Sequence, residues 1–394
     1  MYMNNKLKKV FVVFKTHFDI GYTHLAKELL EWYSSDMIQD VAQVCKATSE
    51  RLAGKKYVWT VPAWPLKKTV EGIRENERRE AVEELIEEGQ LVWHGLPFTT
   101  HTEFCGMEEF IRGLYVAREL SEKYGRWTCD AKMTDVPGHT WILPSLLAKA
   151  GIGFIHLGSN FCATPPEVPK LFFWEGPDGS RVLTYYSKGD YGTDLLPPED
   201  WNYPYWLAML QTLDNLGAQD TDFLDGMFER AKRELPGTEV SIGSLEDFGK
   251  AMLEGDFDIS VIRGDLADTW IRGVGSAPAG VSMARGQRAV LSVLESITAL
   301  KQMNGMYENH EDRKKDREAV EESYEKMLLF GEHTWSMDTK VTILPERCHG
   351  APWIGFKFWE SGIYSKKLFE ELKTKDPGYL KLQQSWQEQL DYLR

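Results

Sequence analysis

The sequence lacks any apolar run near the length of about 20 residues that a membrane-spanning helix needs. Residues 1–9 lead directly into a short apolar segment, without the longer apolar core and small-residue cleavage site of a signal peptide. We therefore expect a protein without a leader and without a membrane partner.

Paired cysteines are also lacking. The five cysteines are scattered, odd in number and form no Cys-x-x-Cys pair; they are Cys45, Cys105, Cys129, Cys162 and Cys348. This pattern favours reduced thiols in a reducing compartment over a disulfide framework. It predicts a cytoplasmic location.

Positive charge is scarce, with 46 Lys and Arg against 60 Asp and Glu and a net charge of −14. This balance argues against a nucleic-acid partner or an anionic membrane surface. No short repeat or low-complexity linker interrupts the chain, and the sequence is compatible with a monomer and with a homo-oligomer.

The bulk composition is that of an ordinary globular protein, with 42% hydrophobic and 27% charged residues. Because 394 residues exceed the size at which single cores stop growing, we expect about two domains. The 14 tryptophans fit stacking on sugar rings, and they fit the filling of a large core equally well.

Short apolar runs alternate with amphipathic stretches over the first two-thirds of the chain. The predicted strands are Val10–Phe14, Lys56–Pro62, Leu91–His94, Cys129–Met133, Phe154–Leu157, Val182–Tyr186 and Glu239–Ile242. The predicted helices between them are Leu25–Ser49, Leu66–Glu88, Met107–Tyr124 and Leu143–Ala150. This alternation predicts an α/β fold with parallel strands, as a barrel or as an open doubly wound sheet.

The pattern changes after residue 278. Ala279–Leu300 and Asp312–Phe330 have helical patterns, and Phe356–Arg394 is mostly helical. We therefore predict two domains: an α/β domain over residues 1–278, and a helical second domain over residues 279–394.

Polar residues gather after three of the predicted strands, and the carboxyl ends of parallel strands share one edge of a sheet. His17 and Asp19 follow the first, Thr99–Glu103 the third, and Asp135 with His139 the fourth. A His and an Asp two residues apart on an extended segment point the same way, and such ligands suit zinc. Each of these patterns also has a purely structural interpretation. His17 and Asp19 fit a hydrogen-bonded pair, Asp135 fits a turn, and His139 fits a helix cap.

Four segments resemble glycoside hydrolase family 38, the class II α-mannosidases. Residues 16–22 are similar to its His-x-Asp-x-Gly-Trp signature, and residues 135–140 resemble its Asp-Pro-Phe-Gly-His-Ser segment. Residues 173–182 look like its Phe-x-Trp-x-x-x-Asp-Gly-Ser-x-Val strand pair, and residues 262–266 like its approach to the helical domain. The resemblance implies a seven-stranded (β/α) barrel-like parallel sheet over residues 1–278, which would be the catalytic barrel. It implies that an all-α helical bundle over residues 279–394 follows and contributes to the active site.

The resemblance also implies one zinc ion per chain. Its ligands would be His17, Asp19, Asp135 and a histidine of the helical domain, for which His333 fits best and His349 is the second choice. The alternative for His333 is a helix C-terminal histidine that interacts with the helix dipole.

The implied chemistry is that of a retaining glycosidase, in which one carboxylate attacks the anomeric carbon and another protonates the leaving oxygen. Asp135 takes the place of the nucleophile. The family's acid/base lies on a loop between the sixth and seventh strands, where Asp214 is the first choice, Asp220 the second and Asp190 the third.

Substrate contacts are implied at Tyr22, His101, Glu103 and His139. The expected substrate is an oligosaccharide or glycoside, by family default an α-mannoside; Tyr22 stands where the family has a tryptophan, so a related α-glycoside fits as well. Relatives continue into large β-sandwich domains, and nothing after residue 340 resembles these. The chain is therefore either a shortened member or part of a longer protein.

Two other functions remain open at this point. A polysaccharide deacetylase-like hydrolase would also use His and Asp at strand ends, but its paired-Asp motif and its His-x-x-x-His are not found here. A carbohydrate-binding relative without catalysis would keep the fold and lose turnover.

Overall fold

The structure is a computed structural model that describes residues 7–136, 138–161, 163–267, 277–337, 374–375 and 377–394. Its strands are β1 Lys9–Thr16, β2 Trp59–Pro62, β3 Leu91–His94, β4 Asp130–Thr134, β5 Gly138–His139, β6 Phe154–Gly158, β7 Leu171–Glu175, β8 Arg181–Ser187, β9 Tyr205–Thr212, β10 Glu239–Ile242, β11 Val261–Arg263 and β12 Leu266–Ala267. Its helices are α1 Ala26–Trp32, α2 Ile38–Thr48, α3 Ala63–Gly72, α4 Asn76–Glu87, α5 Met107–Tyr124, α6 Leu143–Lys149, α7 Thr221–Glu234, α8 Leu245–Leu253, α9 Pro278–Met303, α10 His310–Phe330 and α11 Pro377–Asp391. None of these helices is both long and apolar enough to span a membrane.

Contacts divide the chain into two compact units. The first unit comprises Met1–Phe18 and Leu30–Arg272, and the second comprises Asp19–Leu29 and Gly273–Arg394. The segment just after β1 therefore belongs with the helices of the second unit, which the linear sequence does not indicate. The predicted assignment of a catalytic and a contributing domain stays a prediction.

The α/β fold of the first unit is confirmed. One five-stranded sheet runs β10-β1-β2-β3, with β9 also paired to β1, and all its pairings are parallel. A second five-stranded sheet runs β11-β7-β8-β6-β4, in which only β7 and β8 pair antiparallel. A two-stranded ribbon joins β5 to β12. The count of seven barrel strands stays a prediction.

Strand β9 was not predicted from the sequence. It pairs with β1 over eight residues, from Lys9 opposite Tyr205 to Thr16 opposite Thr212. Its sequence is Tyr-Trp-Leu-Ala-Met-Leu-Gln-Thr, which contains Leu, Ala and Met and only one β-branched residue. Local propensity therefore points to a helix, and the pairing with β1 overrides it.

Two predicted helices are each divided in the structure. The stretch 25–49 contains α1 and α2 with a π-helical turn at Tyr33–Met37 between them, and the stretch 66–88 contains α3 and α4. Helix α5 has the predicted bounds, whereas much of 356–394 lies outside the described residues.

The core of the first unit includes a cluster between the second sheet and its helices. Buried members from β4, β6, β7, β8 and α6 include Met133, Ile155, Trp174, Val182 and Leu147. Their alternation with residues of the opposite face fixes the register of β4, because a slip of one residue would exchange the two faces. The register in turn places Asp135 directly after the strand.

The second unit is helical in its described residues. Helices α9 and α10 pack together, and α10 begins with a cap in which the Asn309 side chain accepts from the Asp312 N–H at 2.9 Å. A small buried cluster, formed by Leu25, Met337, Tyr379 and Leu382, joins the segment after β1 to α11. That a complete helical bundle forms stays a prediction.

Acid pH should destabilise the first unit, because this unit buries neutral histidines. Burial lowers the pKa of His139 to about 3, and it lowers the pKa of His94 and His156 well below the ordinary value. Burial raises the pKa of Asp130 to about 7, which offsets one of these three groups. Between about pH 6 and pH 5 the unfolded chain thus binds a net of about two more protons, and we expect the free energy of unfolding to fall by about 3 kcal/mol per pH unit.

Urea denaturation at several pH values measures this slope. The substitution Asp130→Asn removes the group that titrates in the opposite sense, so it should make the slope steeper. A free energy of unfolding that stays constant or rises toward pH 5 would contradict the burial of neutral histidines.

Candidate metal and catalytic site

Asp135 and His17 form a buried pair in the first unit. Asp135 follows β4 and His17 follows β1, and the Asp135 Oδ2 lies 3.7 Å from the His17 Nε2. Their side chains are 9% and 2% exposed. Strand β1 holds His17 in place through its backbone, since its N–H donates to the Thr212 carbonyl of β9 at 3.0 Å.

Asn160 and Tyr191 contact the two members of this pair, and neither was predicted from the sequence. The Asn160 amide donates to Asp135 Oδ1 at 2.9 Å and to the Tyr191 hydroxyl at 2.6 Å. The Tyr191 ring stacks on the His17 imidazole with 4.8 Å between centroids. The two carboxylate oxygens of Asp135 therefore face different partners. The position of Asn160 two residues after β6 was the signal that could have found it, because strand ends had already been identified as the place for chemistry.

Asp19 and His333 form a second buried pair, in the second unit. Asp19 Oδ1 lies 2.9 Å from His333 Nε2, and both side chains are at most 2% exposed. The other ring nitrogen, His333 Nδ1, lies 2.5 Å from a carboxylate oxygen of Glu332. Glu332 also accepts from the Thr334 N–H at 3.0 Å, and the Thr334 hydroxyl donates to the Ile20 carbonyl at 2.7 Å. This network ties the end of α10 to the segment after β1.

Backbone strain is concentrated at these residues. Four described residues other than glycine have positive φ: Asp135 at 67°, Asn215 at 57°, Trp335 at 47° and Ser336 at 102°. Asp135 belongs to the first pair, and Asn215 follows the acid/base candidate Asp214. Trp335 and Ser336 come shortly after His333. Residues in this conformation cost free energy and cluster at functional sites.

The donor chemistry of each pair suits metal coordination. Each pair offers one imidazole nitrogen and one carboxylate oxygen, and all four side chains are buried. Buried charges are held by partners or by metals, and mixed nitrogen and oxygen ligands suit zinc. The Glu332 carboxylate beside His333 matches the hydrogen-bond acceptor that usually orients a metal-binding histidine.

The model of the glycosyl hydrolases family 38 N-terminal domain matches residues 7–242, which is more than half of the chain. The chain belongs to glycosyl hydrolase family 38. The matched region contains β1–β10 and three of the four paired residues, His17, Asp19 and Asp135.

Solved structures share the fold of this family 38 chain. An α-mannosidase from Enterococcus faecalis matches with a TM-score of 0.63 and 16% identity, over 98% of this chain and 43% of that one. A family 38 protein from the same organism matches with a TM-score of 0.56 and 13% identity, over 98% of this chain and 40% of that one. The chain thus spans less than half the length of these two proteins. A search of curated protein sequences finds no significant match.

The loop after β9 holds the first acid/base candidate of this family 38 chain, Asp214, which is half-buried. Its neighbour Asn215 is buried, donates its N–H to the His17 carbonyl at 2.8 Å, and accepts from the Tyr33 hydroxyl at 3.2 Å. The loop is therefore hydrogen-bonded to His17, one of the candidate metal ligands.

The two lower-ranked acid/base candidates have structural roles. Asp220 is exposed and caps α7, where its carboxylate accepts from the Phe223 N–H at 2.8 Å. Asp190 is exposed and accepts from the N–H groups of Tyr191 and Gly192 in a turn. Both contacts are ordinary for aspartates in caps and turns.

The predicted substrate-binding residues are only partly brought together. His101 and His139 are both buried in the first unit, and the Thr102 hydroxyl lies 3.5 Å from His139 Nδ1. Glu103 is exposed, and Tyr22 is half-buried in the second unit. His139 lies in β5 opposite Leu266 of β12 and not at a helix start. The second metal choice, His349, lies outside the described residues.

Proposed function

We propose that this family 38 chain is a zinc-dependent retaining glycoside hydrolase that acts on α-mannosides or related α-glycosides. The observation that carries the proposal is the setting of Asp135: a buried carboxylate with a strained backbone at a strand end, held by Asn160 and facing His17. Family membership favours this function over the deacetylase alternative.

Asp135 is the proposed nucleophile. A carboxylate nucleophile must be ionised and must be held in one orientation to attack the anomeric carbon. The Asn160 amide donates to one Asp135 oxygen and so fixes the rotation of the carboxylate. The other oxygen remains directed toward His17.

Asp214 is the proposed acid/base, which protonates the leaving oxygen and then takes a proton from water. Support comes from the anchoring of its loop through Asn215 to His17, and from the capping and turn contacts of the two rival aspartates. Tyr22, His101, Glu103 and His139 stay proposed substrate contacts.

The proposed zinc ligands are His17, Asp19, Asp135 and His333. A bound zinc ion would hold sugar hydroxyls and stabilise the anionic form of nearby oxygens. The protein's own residues orient the donors: Asn160 acts on Asp135, and Glu332 acts on His333. We also keep the seven-stranded barrel with a helical bundle as the proposed architecture.

We expect about one zinc per chain by elemental analysis of the purified protein, and loss of this zinc in His17→Ala and in Asp19→Ala. The matched control is His24→Ala, which removes an exposed histidine seven residues after His17 and should keep the metal. Zinc retained by both ligand variants would refute the assigned ligands. Stoichiometric zinc without turnover on a panel of aryl α-glycosides would favour the carbohydrate-binding relative.

A further inference from the structure

An exposed tryptophan, Trp127, has no part in the proposed mechanism. It follows α5 and, at 57%, is the most exposed of the described tryptophans. Tyr115 of α5 is 48% exposed, and the two rings line the same cavity of the first unit. Tryptophans that only fill a core are buried, as Trp59, Trp93 and Trp174 are. The exposure of two aromatic rings at one cavity therefore points to a ligand.

The cavity beside these rings has a volume of about 350 Å³. This volume lies within the range of about 300–1,000 Å³ that is typical of small-molecule sites. One wall is a face of α5, on which Leu114, Arg118 and Ser121 follow one another at helical spacing. Leu146 of α6 and Ile152 form the opposite wall. The cavity thus combines aliphatic walls and aromatic rings with a small number of polar groups.

Two arginines of α5 orient the aromatic rings. The guanidinium carbon of Arg118 lies 5.0 Å from the ring centroid of Trp127, and that of Arg112 lies 5.8 Å from the ring centroid of Tyr115. Such cation–π contacts favour one position of each ring. Both rings are still about half exposed, so ring surface remains for a ligand. A ring that is already oriented loses less freedom when a ligand binds.

The charged groups at the cavity are already paired. The Arg118 Nε donates to a Glu122 carboxylate oxygen at 3.0 Å, and the Lys149 ammonium lies 2.7 Å from the Asp178 carboxylate. An anionic ligand would compete with these carboxylates, so the lining suits a neutral ligand better. Donors remain for such a ligand, because the contact with Glu122 uses one of the five N–H groups of Arg118, and Thr128 adds a hydroxyl.

A sugar ring has the chemistry that this lining can bind. A pyranose is neutral, presents C–H groups on its faces and carries hydroxyls around its edge. Its face can therefore pack on an aromatic ring while its hydroxyls accept from N–H and O–H groups. We propose that the cavity beside Trp127 and Tyr115 is a glycan-binding site separate from the candidate catalytic site, and that it takes one sugar ring of a neutral oligosaccharide.

Strand β4 separates this cavity from Asp135. Trp127 and Thr128 precede the strand and Asp135 follows it, so the five residues of the strand put roughly 16 Å between them. The cavity can therefore hold a sugar that does not contact Asp135. Such a site retains a glycan on the protein and leaves the chemical step unchanged.

The test is a titration of the full chain with mannotriose, with maltotriose and with inorganic phosphate, followed in ¹H–¹⁵N correlation spectra of the tryptophan indole N–H groups. The Trp127 signal is assigned by its loss in Trp127→Phe. We expect a saturable shift of this signal with at least one of the trisaccharides and no shift with phosphate. The same result is expected in Asp135→Asn, so the readout is local to the cavity and independent of the proposed function.

Substitutions of Tyr115 can be read at the same Trp127 signal. Tyr115→Ala should weaken trisaccharide binding about tenfold, the effect of losing one aromatic contact, whereas Tyr115→Phe keeps the ring and should stay within about threefold. Both replacements are at an exposed position of α5, so the fold should be kept. The matched control is Trp386→Ala, which removes an exposed tryptophan of the second unit and should leave the affinity unchanged.

Three results would overturn the proposal. The first is a Trp127 signal that neither trisaccharide shifts at tens of millimolar, or that phosphate shifts equally. The second is wild-type affinity in Tyr115→Ala. The third is a Trp127 signal that changes with protein concentration alone, which would place a second copy of the chain at the cavity instead of a sugar.

Discussion

Asp135→Asn should lower kcat on an activated aryl α-mannoside on the order of 10⁴-fold, the size of loss that follows removal of one member of a catalytic group. The physical reason is that an amide is a far weaker nucleophile than a carboxylate. Asparagine is the informative replacement because the backbone at this position has φ of 67°, which asparagine tolerates better than most residues. The amide oxygen can also still accept from Asn160.

The measurement is steady-state turnover, combined with mass spectrometry after treatment with a mechanism-based fluorosugar, which should label Asp135. Asp220→Asn is the matched control, since asparagine caps a helix as well as aspartate does and α7 should be undisturbed. That variant should keep wild-type turnover, which would also remove Asp220 as the acid/base. Full activity in Asp135→Asn, or a label on another carboxylate, would refute Asp135 as nucleophile.

His333→Ala should abolish zinc binding and lower the free energy of unfolding by about 3–5 kcal/mol, because it leaves two buried carboxylates without their common partner. These carboxylates belong to Asp19 and Glu332, which contact opposite nitrogens of the His333 ring. The measurements are zinc content and urea denaturation of the full chain.

Glu332→Gln separates the metal effect from the loss of stability. Glutamine keeps the size and the capacity for hydrogen bonds, but it no longer offers a charged acceptor to His333 Nδ1, so zinc affinity should fall about 10–100-fold. His310→Ala, at the exposed start of α10, is the matched control and should change neither quantity. Wild-type zinc affinity in both His333→Ala and Glu332→Gln would refute His333 as a ligand.

Much of the α/β organisation could be predicted from the sequence, because most of its strands are short apolar segments bounded by polar or turn residues. Strands β3 and β10 have the predicted bounds, and β1, β6 and β8 lie within a few residues of them. Strand β9 could not be predicted in this way, because its composition favours a helix. Its long pairing with β1 makes it a strand.

The candidate site was partly predictable for a related reason. His17, Asp19 and Asp135 follow predicted strands, so the common edge of a parallel sheet already indicated chemistry. Asn160, Tyr191 and Glu332 were missed because their roles depend on contacts with residues distant in sequence. Asn160 contacts Asp135 across 25 positions, and Glu332 acts on a histidine whose own partner is Asp19.

The sequence by itself determined the residue types, the strand ends that carry them and the family resemblance of residues 16–22 and 135–140. The tertiary structure decided which groups meet: Asp135 with His17, and Asp19 with His333 over more than 300 positions. It also assigned the two halves of the His-x-Asp motif to different compact units. The physical reason is that residue type and local pattern fix what a side chain can do, whereas burial and long-range packing fix which partner it contacts.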